Sequence, residues 1–122
     1  MIVLCTKLVQ ANSERELERS PWLTVGKRYH VLAIMIEAAK QFYVIESDDN
    51  ESAILATIDQ FTVISNRLPS CWIVVTEIMG YRLSFAPAEW SPQFWSHYND
   101  GDLEAKGLYA RIKNMIREEE PL

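Results

Sequence analysis

The chain has 122 residues, a hydrophobic content of 48% and a net charge of −5, ordinary values for one soluble globular domain. Asp and Glu outnumber Lys and Arg by 17 to 12, which disfavours nucleic-acid binding because nucleic-acid binders usually present a basic face. No apolar run approaches the length of about 18 residues that a membrane span needs, and no basic segment precedes an apolar one as in a signal peptide, so we expect a cytoplasmic protein.

The first part of the chain predicts β-strands. Ile2 to Val9 is apolar and rich in β-branched residues, as strands are. Gln10 to Ser20 is polar and is expected to form an exposed loop or a single helical turn. Arg28 to Glu37 is apolar at both odd and even positions, so this strand should be covered on both faces. Gly26, just before it, suits a turn with positive φ.

The middle of the chain predicts hairpins. Asp48-Asp49-Asn50 is a strong turn signal, because Asx side chains bond their own backbone. The sequence therefore favours an antiparallel meander of five to seven short strands. Besides those above, the predicted strands are Gln41 to Ser47, Ser52 to Ile58, Phe61 to Ser65, Trp72 to Ile78 and Tyr81 to Phe85.

The periodicity becomes helical after Pro87. Ser91-Pro92 is a typical helix start, and Asp102 is a candidate cap for a final helix. Glu118 to Glu120 have the wrong charge for a helix C-terminus, so we expect the tail to fray. We predict a single domain, residues 1–122, mainly β over 1–86 and mainly helical over 87–119. The apolar stripe of the final helix comprises Ala105, Leu108, Tyr109, Ile112, Met115 and Ile116.

Catalytic and metal-binding patterns are absent from the sequence. The chain has no CxxC or HExxH pattern, and its four glycines are not spaced as a phosphate loop. Cys5 and Cys71 are expected to be reduced core residues. Cys71 with His97 and Asp100 could form a nucleophilic set, but nothing in the sequence brings them together. We therefore expect no catalytic residue, no metal and no cofactor. Glu77, Glu89 and Asp100 could in principle pair as catalytic acids, as acids could in any acidic protein.

Aromatic residues crowd one third of the chain, between positions 72 and 98. They could stack nucleic-acid bases, or they could fill the space between the sheet and the helices. The second interpretation is favoured, because Ala86 to Gly101 contains no Lys or Arg to hold a phosphate backbone. The residues concerned are Trp72, Trp90, Phe94, Trp95 and Tyr98.

The acidic residues of the predicted hairpin are the candidate binding site. Gln41 to Asn66 contains no Lys or Arg, so its acids should form a local negative patch that attracts a basic partner. The alternative is a solvated hairpin tip that protects a sheet edge from aggregation. The candidate partner-binding residues are Glu46, Asp48, Asp49, Glu51 and Asp59.

Two sets of segments carry a family resemblance. The chain contains Leu23-Thr24-Val25-Gly26-Lys27-Arg28-Tyr29-His30-Val31-Leu32, Phe42-Tyr43-Val44-Ile45 and Asp48-Asp49, three segments that together resemble the opening of small SH3-like barrels of bacterial and phage proteins. Arg67-Leu68-Pro69-Ser70-Cys71-Trp72, Ala88-Glu89-Trp90 and Phe94 to Asp102 are similar to the later part of small bacterial immunity proteins. Those proteins are the partners of polymorphic or contact-dependent growth-inhibition toxins, and their toxin-binding surfaces diverge, so no family binding residue transfers.

The resemblance implies a non-enzymatic protein that binds and neutralises a cognate toxin, often a basic nuclease, by covering its active site. We expect an α+β fold in which an antiparallel meander, open or closed as a small SH3-like barrel, packs against one or two C-terminal helices. The alternative function is a small SH3-like adaptor or a nucleic-acid-associated domain of a phage or regulatory system. The oligomeric state is not predicted by the sequence.

Overall fold

The computed structural model describes residues 1–10, 13, 15–49, 52–78, 80–90 and 92–122, without the side chains of residues 77 and 78. The expected helix cap Ser91 and the candidate residue Glu51 lie outside this part of the chain. The strands are β1 (Ile2–Cys5), β2 (Leu8–Val9), β3 (Glu16–Leu17), β4 (Arg28–His30), β5 (Ala33–Ile36), β6 (Gln41–Glu46), β7 (Ala53–Thr57), β8 (Phe61–Ser65), β9 (Trp72–Ile78) and β10 (Tyr81–Pro87). A 3₁₀ turn covers Ile58–Gln60, and the helices are α1 (Pro92–Asn99) and α2 (Leu103–Glu119).

The fold is α+β, as the sequence predicted. A five-stranded sheet has the order β7-β6-β5-β10-β9, a three-stranded sheet has the order β4-β1-β8, and β2 pairs with β3. All the strand pairs are antiparallel. β5, β6 and β7 form a meander in chain order, whereas β8 pairs with β1 and β10 returns to lie beside β5. Among the described pairings, none joins β8 to β9 to close a barrel.

The single strand expected over Arg28 to Glu37 is two strands that belong to different sheets. β4 pairs with β1, whereas β5 pairs with β6 and β10. At the junction, the Val31 amide donates to the Met1 carbonyl at 3.0 Å and the Leu32 amide donates to the Val44 carbonyl at 2.9 Å. The Trp72 indole N–H donates to the Leu32 carbonyl at 3.0 Å. Because a buried carbonyl needs a donor, this bond stabilises the point where the chain changes sheets.

Two hydrophobic cores lie on opposite faces of this segment. One core contains Leu32, Ala33 and Met35 with the buried residues of both helices. The other contains Tyr29 and Val31 with residues of β1, β6 and β7. The expectation that both faces of the segment are covered is therefore confirmed for residues 29–33, which are all buried.

The N-terminal strand is shorter than predicted. It breaks after Cys5, where the amides of Thr6 and Lys7 donate to the Gln60 carbonyl at 2.9 and 3.3 Å. The buried Gln60 side chain also accepts from the Val9 amide at 3.0 Å. The expected exposed loop or helical turn after it contains the short strand β3, which forms a hairpin with β2. Pairing with a neighbouring strand has replaced local helix formation there.

The two helices follow the prediction closely. Asp102 caps α2, its carboxylate accepting from the Ala105 amide at 3.1 Å. Within the stripe, Met115 is the exception, since it is 50% exposed. The buried members of the stripe are Ala105, Tyr109, Ile112 and Ile116.

The expected fraying of the C-terminal tail is wrong. The Glu119 carboxylate accepts from the Ser70 amide at 2.8 Å and from the Ser70 hydroxyl at 2.6 Å. The Ser65 hydroxyl donates to the Glu120 carboxylate at 2.6 Å, and the His30 ring lies 2.6 Å from the Glu120 carbonyl. These contacts hold the end of α2 against β4, the last residue of β8 and the loop after it, which outweighs the unfavourable charge at the helix end.

Candidate binding surface

Glu46, the first of the candidate residues, is committed to intramolecular contacts. Its carboxylate accepts from Lys113 at 2.7 Å, Arg117 at 2.8 Å and the Tyr109 hydroxyl at 3.0 Å. Burial alone would raise the pKa of Glu46, but the hydrogen bonds from Lys113 and Tyr109 and the charge of Arg117 lower it below its ordinary value. Glu46 therefore joins β6 to α2, and its charge is compensated inside the molecule.

The negative charge of Asp48 is also compensated inside the molecule. Its carboxylate accepts from the Thr24 hydroxyl at 2.7 Å, from the Tyr29 hydroxyl at 2.9 Å and from the Lys27 ammonium. Burial acts to raise the pKa of Asp48, but these donors lower it. Burial and the neighbouring carboxylate raise the pKa of Tyr29 to about 12, so its hydroxyl stays a donor at neutral pH. Asp48 therefore fixes the hairpin to the segment before β4.

Asp49 is the candidate that is exposed without an ion pair. Its carboxylate accepts from the Ser47 hydroxyl at 2.9 Å. Asp59 lies in the 3₁₀ turn, 55% exposed, with its carboxylate 4.0 Å from the Lys7 ammonium. The structure thus separates the candidates: two stabilise the fold, Asp59 is partly neutralised by Lys7, and Asp49 faces solvent. Whether any of them binds a partner stays a prediction.

A second acidic region, missed by the sequence reasoning, lies at the turn between the helices. Asp100 and Glu104 are exposed, and neither forms an ion pair with a described Lys or Arg. Leu103, between them in sequence, is 85% exposed. Gly101, with φ of 80°, allows the tight turn. The turn signal Asn99-Asp100-Gly101-Asp102 could have revealed these charges as one cluster with an apolar residue at its centre.

An apolar groove lies between the five-stranded sheet and α1. Its volume is about 390 Å³, and Met35 and Val44 of the sheet line it together with Trp95 of α1. Trp95 is only 8% exposed, and its indole N–H has no hydrogen-bond partner among the described residues. The other lining residues are Ala53, Ile54, Leu55, Tyr81 and Asn99. A groove of this kind accepts an apolar side chain or small ligand that carries a hydrogen-bond acceptor.

A polar cleft of about 450 Å³ lies beside Glu46 and Asp48. Lys27 and Arg117 also line it, but each already pairs with one of those carboxylates. His30, at the same cleft, is 8% exposed; burial lowers its pKa below the ordinary value. Arg28 also lines the cleft, is exposed and forms no ion pair among the described residues, so the cleft combines internally paired charges with an unpaired cation.

Four of the five aromatic residues fill the space between the sheet and the helices, as the favoured interpretation predicted, whereas Trp72 is half-buried and packs against the other core. Trp90 is 1% exposed and stacks on Phe94 and Tyr109 with ring centroids 5.7 and 5.5 Å apart. Trp95 and Tyr98 are each 8% exposed. Base stacking needs an open ring face, so this cluster offers no platform for the alternative nucleic-acid function.

Among the described residues, no hydrogen bond joins the side chains of Cys71, His97 and Asp100. Cys71 packs against the helix-side core, and burial, together with the negative charges of Glu89 and Glu119, raises its pKa. His97 and Asp100 are exposed on and just after α1. Because nucleophilic catalysis requires a thiolate within hydrogen-bond reach of a base, this environment is unfavourable for it. Glu77 was one of the three candidate catalytic acids, and its side chain lies outside the described part of the chain.

No group of three or more potential metal ligands occurs among the described residues. In the same part of the chain, no helix is long and apolar enough to cross a membrane. Comparison with known proteins adds no assignment: no family model, curated protein or solved structure matches the chain.

Proposed function

We propose that this chain is a cytoplasmic immunity protein that binds and neutralises a cognate bacterial toxin, of the basic nuclease type, by steric and electrostatic occlusion. The observation that carries the proposal is the division of the acidic residues. Glu46 and Asp48 stabilise the fold, whereas Asp49, Asp100 and Glu104 are exposed and without a described ion-pair partner. Uncompensated surface carboxylates of this kind accelerate association with a basic protein and accept its Arg and Lys side chains.

The chemical environment of the other polar groups also supports a binding role. Cys71 has a raised pKa and acidic neighbours, and the buried tryptophans form part of the core. The segments that resemble immunity proteins include these core residues, Trp90, Phe94 and Trp95 among them. A small rigid domain with a charged surface occludes a partner without chemistry of its own.

The proposal is tested by co-expression with the product of the adjacent upstream reading frame. Cell survival with and without this chain is measured, and the pair is then co-purified. We expect rescue and a stable one-to-one complex whose affinity falls as salt is raised. A toxic neighbour that kills regardless and does not co-purify contradicts the proposal, as does a shift of labelled oligonucleotide at low salt, which the alternative function expects.

The contribution of the Asp49 charge to toxin binding is then tested on the purified complex. Asp49→Lys should weaken binding about three- to tenfold at low salt and reduce the salt dependence, because a surface charge acts mainly on the association rate. Glu118→Lys is the matched control, since Glu118 is exposed on the last turns of α2. Asp48→Lys is unsuitable, because it also removes the contacts to Thr24 and Tyr29. Equal affinity of wild type and Asp49→Lys for the toxin at low salt would show that Asp49 does not belong to the toxin-binding surface.

A further inference from the structure

Strand β7 forms one edge of the five-stranded sheet and lies beside the apolar groove. It pairs with β6 on one side only. Ala53, Ile54 and Leu55 of this strand line the groove. Leu55 is 49% exposed, a large value for a residue in the middle of a strand whose partner Val44 is buried. An edge strand beside an apolar groove offers a partner both backbone hydrogen bonds and a pocket.

The register of the β6–β7 hairpin identifies which backbone groups of β7 face outward. The Ser47 amide donates to the Ser52 carbonyl at 2.8 Å, so this pair is hydrogen-bonded across the ladder. In an antiparallel ladder, such pairs alternate with pairs whose N–H and C=O groups point away from the partner strand. Ala53, Leu55 and Thr57 belong to the outward-facing set.

The neighbours of β7 confirm this alternation and leave one position free. The Ala53 amide donates outward to the Tyr98 hydroxyl at 3.0 Å, and the Thr57 carbonyl receives the Gln60 side-chain amide at 3.5 Å. Within the described residues, no hydrogen bond engages the backbone of Leu55 from outside the sheet. The Leu55 N–H and C=O are therefore available to an added strand.

The groove adds a second unpartnered donor. The indole N–H of Trp95 is buried without an acceptor, although a buried donor that lacks a partner costs stability. Trp95 lines the same groove as Leu55. A partner segment that places an apolar side chain in the groove contacts Trp95, Met35 and Val44. The indole N–H is covered among the described residues, so a carbonyl of that segment reaches it only if the Trp95 ring moves as the segment enters.

The charges near β7 differ at its two ends. Asp49 precedes the strand, and Asp100 follows Asn99, which lines the groove near Ala53. Lys106 offsets these two acids only in part: its ammonium lies 5.4 Å from the ring centroid of Tyr98, whose hydroxyl accepts from the Ala53 amide. Neither acid forms an ion pair with a described cation. At the other end, Asp59 is partly neutralised by Lys7. A partner segment should therefore carry its positive charge at the Ala53 end.

We propose that β7 and the adjacent groove form a docking site for an extended segment of a partner protein. The segment pairs with the backbone of Leu55, places one apolar side chain in the groove and carries a Lys or Arg beside Ala53. This inference rests on the proposed function, in which the segment belongs to the toxin. A second copy of the chain fits poorly: antiparallel pairing of two β7 strands would bring the Asp49 end of one near the Asp59 end of the other.

Two substitutions at one position separate the backbone from the side chain. Leu55→Pro removes the outward N–H but leaves the β6–β7 ladder intact, and proline is tolerated on an edge strand in that orientation. Leu55→Thr keeps the N–H and removes the apolar side chain. Trp95→Phe removes the indole donor and keeps an aromatic ring. Ile73→Thr on β9, the opposite edge of the sheet, is the matched control because Ile73 is 48% exposed.

The first probe is a set of fluorescein-labelled synthetic peptides. Two have the sequence Arg-Thr-Val-Thr-Leu-Thr-Val-Thr and its reverse, and two carry Glu in place of Arg. Anisotropy titrations at low salt should show one Arg peptide binding at least about tenfold more tightly than its Glu counterpart. Leu55→Pro and Trp95→Phe should each weaken binding about three- to tenfold, whereas Ile73→Thr should leave it unchanged. Failure of both Arg peptides to bind, or equal binding to wild type and folded Leu55→Pro, overturns the site.

The second probe is the toxin complex, which separates this site from the proposed function. If wild type binds the toxin and the folded Leu55→Pro and Leu55→Thr variants bind equally well, the docking site is wrong and the immunity function stands. If wild type does not bind the toxin, the function fails and the peptide titrations still decide the site. Circular dichroism and thermal unfolding establish that each variant is folded.

Discussion

Replacing Glu46 by Gln tests the contact that joins the sheet to the C-terminal helix. The Glu46 and Lys113 side chains are only 10% and 12% exposed, and their charged atoms lie 2.7 Å apart. Removing one member of a buried ion pair leaves the other charge uncompensated, which costs about 3–5 kcal/mol. Arg117 is 43% exposed, so solvent screens it and its share is small. Because Gln keeps one acceptor, we expect Glu46→Gln to lower the free energy of unfolding by about 3 kcal/mol.

The assay is urea unfolding at neutral pH, supported by thermal unfolding, in which this loss corresponds to a fall in Tm of about 10 °C. The double variant Glu46→Gln with Lys113→Met should lose less than the two single variants together, with a coupling of about 1–3 kcal/mol. A loss below about 0.5 kcal/mol for Glu46→Gln, or additivity in the double variant, would refute the reasoning.

The Glu46 carboxylate also makes the free energy of unfolding depend on pH, and the direction of its pKa shift determines the sign of that dependence. The folded pKa of Glu46 is lower than its ordinary value of 4.5, so the unfolded state binds the proton first as the pH falls. The stabilisation by Glu46 is therefore complete above that ordinary value and is lost as the pH falls through the lower folded pKa. The difference in unfolding free energy between wild type and Glu46→Gln should shrink over this range, and a constant difference would contradict the assigned contacts.

Three further measurements test other parts of the structure. Trp90→Ala removes the centre of the aromatic cluster and should cost about 3–5 kcal/mol in urea unfolding, whereas a loss below about 1 kcal/mol would mean that the ring is not buried. Burial lowers the pKa of His30, so the unfolded state takes up the proton first as the pH falls through the ordinary value of 6.5. Wild type should therefore lose stability as the pH falls below 6.5, and His30→Gln should lose less over the same range. Cys71, with its raised pKa, should react with iodoacetamide at neutral pH at least about tenfold more slowly in the folded chain than in urea.

Local signals in the sequence predicted the elements that depend on neighbouring residues. The β9–β10 hairpin turns at Gly80 with φ of 84°, and Asp102 begins α2 as its side chain suggests. Residues 29–33 are buried on both faces, as their continuous apolar run indicated. In each case, the residues that determine the structure lie within a few positions of each other.

The misassigned features depend on contacts between distant segments. Lys113 lies off the apolar stripe of α2, yet it reaches Glu46 across the interface between α2 and β6. Glu119 and Glu120 fix the C-terminal tail by hydrogen bonds from Ser70 and Ser65. Rules for charges at helix ends consider only the helix itself and do not include such distant donors. Such pairs are not visible in a charge pattern, because the pattern records neighbours in sequence and not in space.

This distinction also affects how the acidic hairpin is understood as a binding surface. Glu46 fixes the end of β6 to α2, and Asp48 fixes the following turn to Thr24 and Tyr29. Asp49 and the edge of β7 are thus presented from a hairpin held at two points. A surface held in this way loses little conformational entropy when a partner binds. Counting charges in the sequence assigns the carboxylates of Glu46 and Asp48 to the partner-binding surface. In the structure they can instead support affinity indirectly, by keeping the binding edge in one conformation.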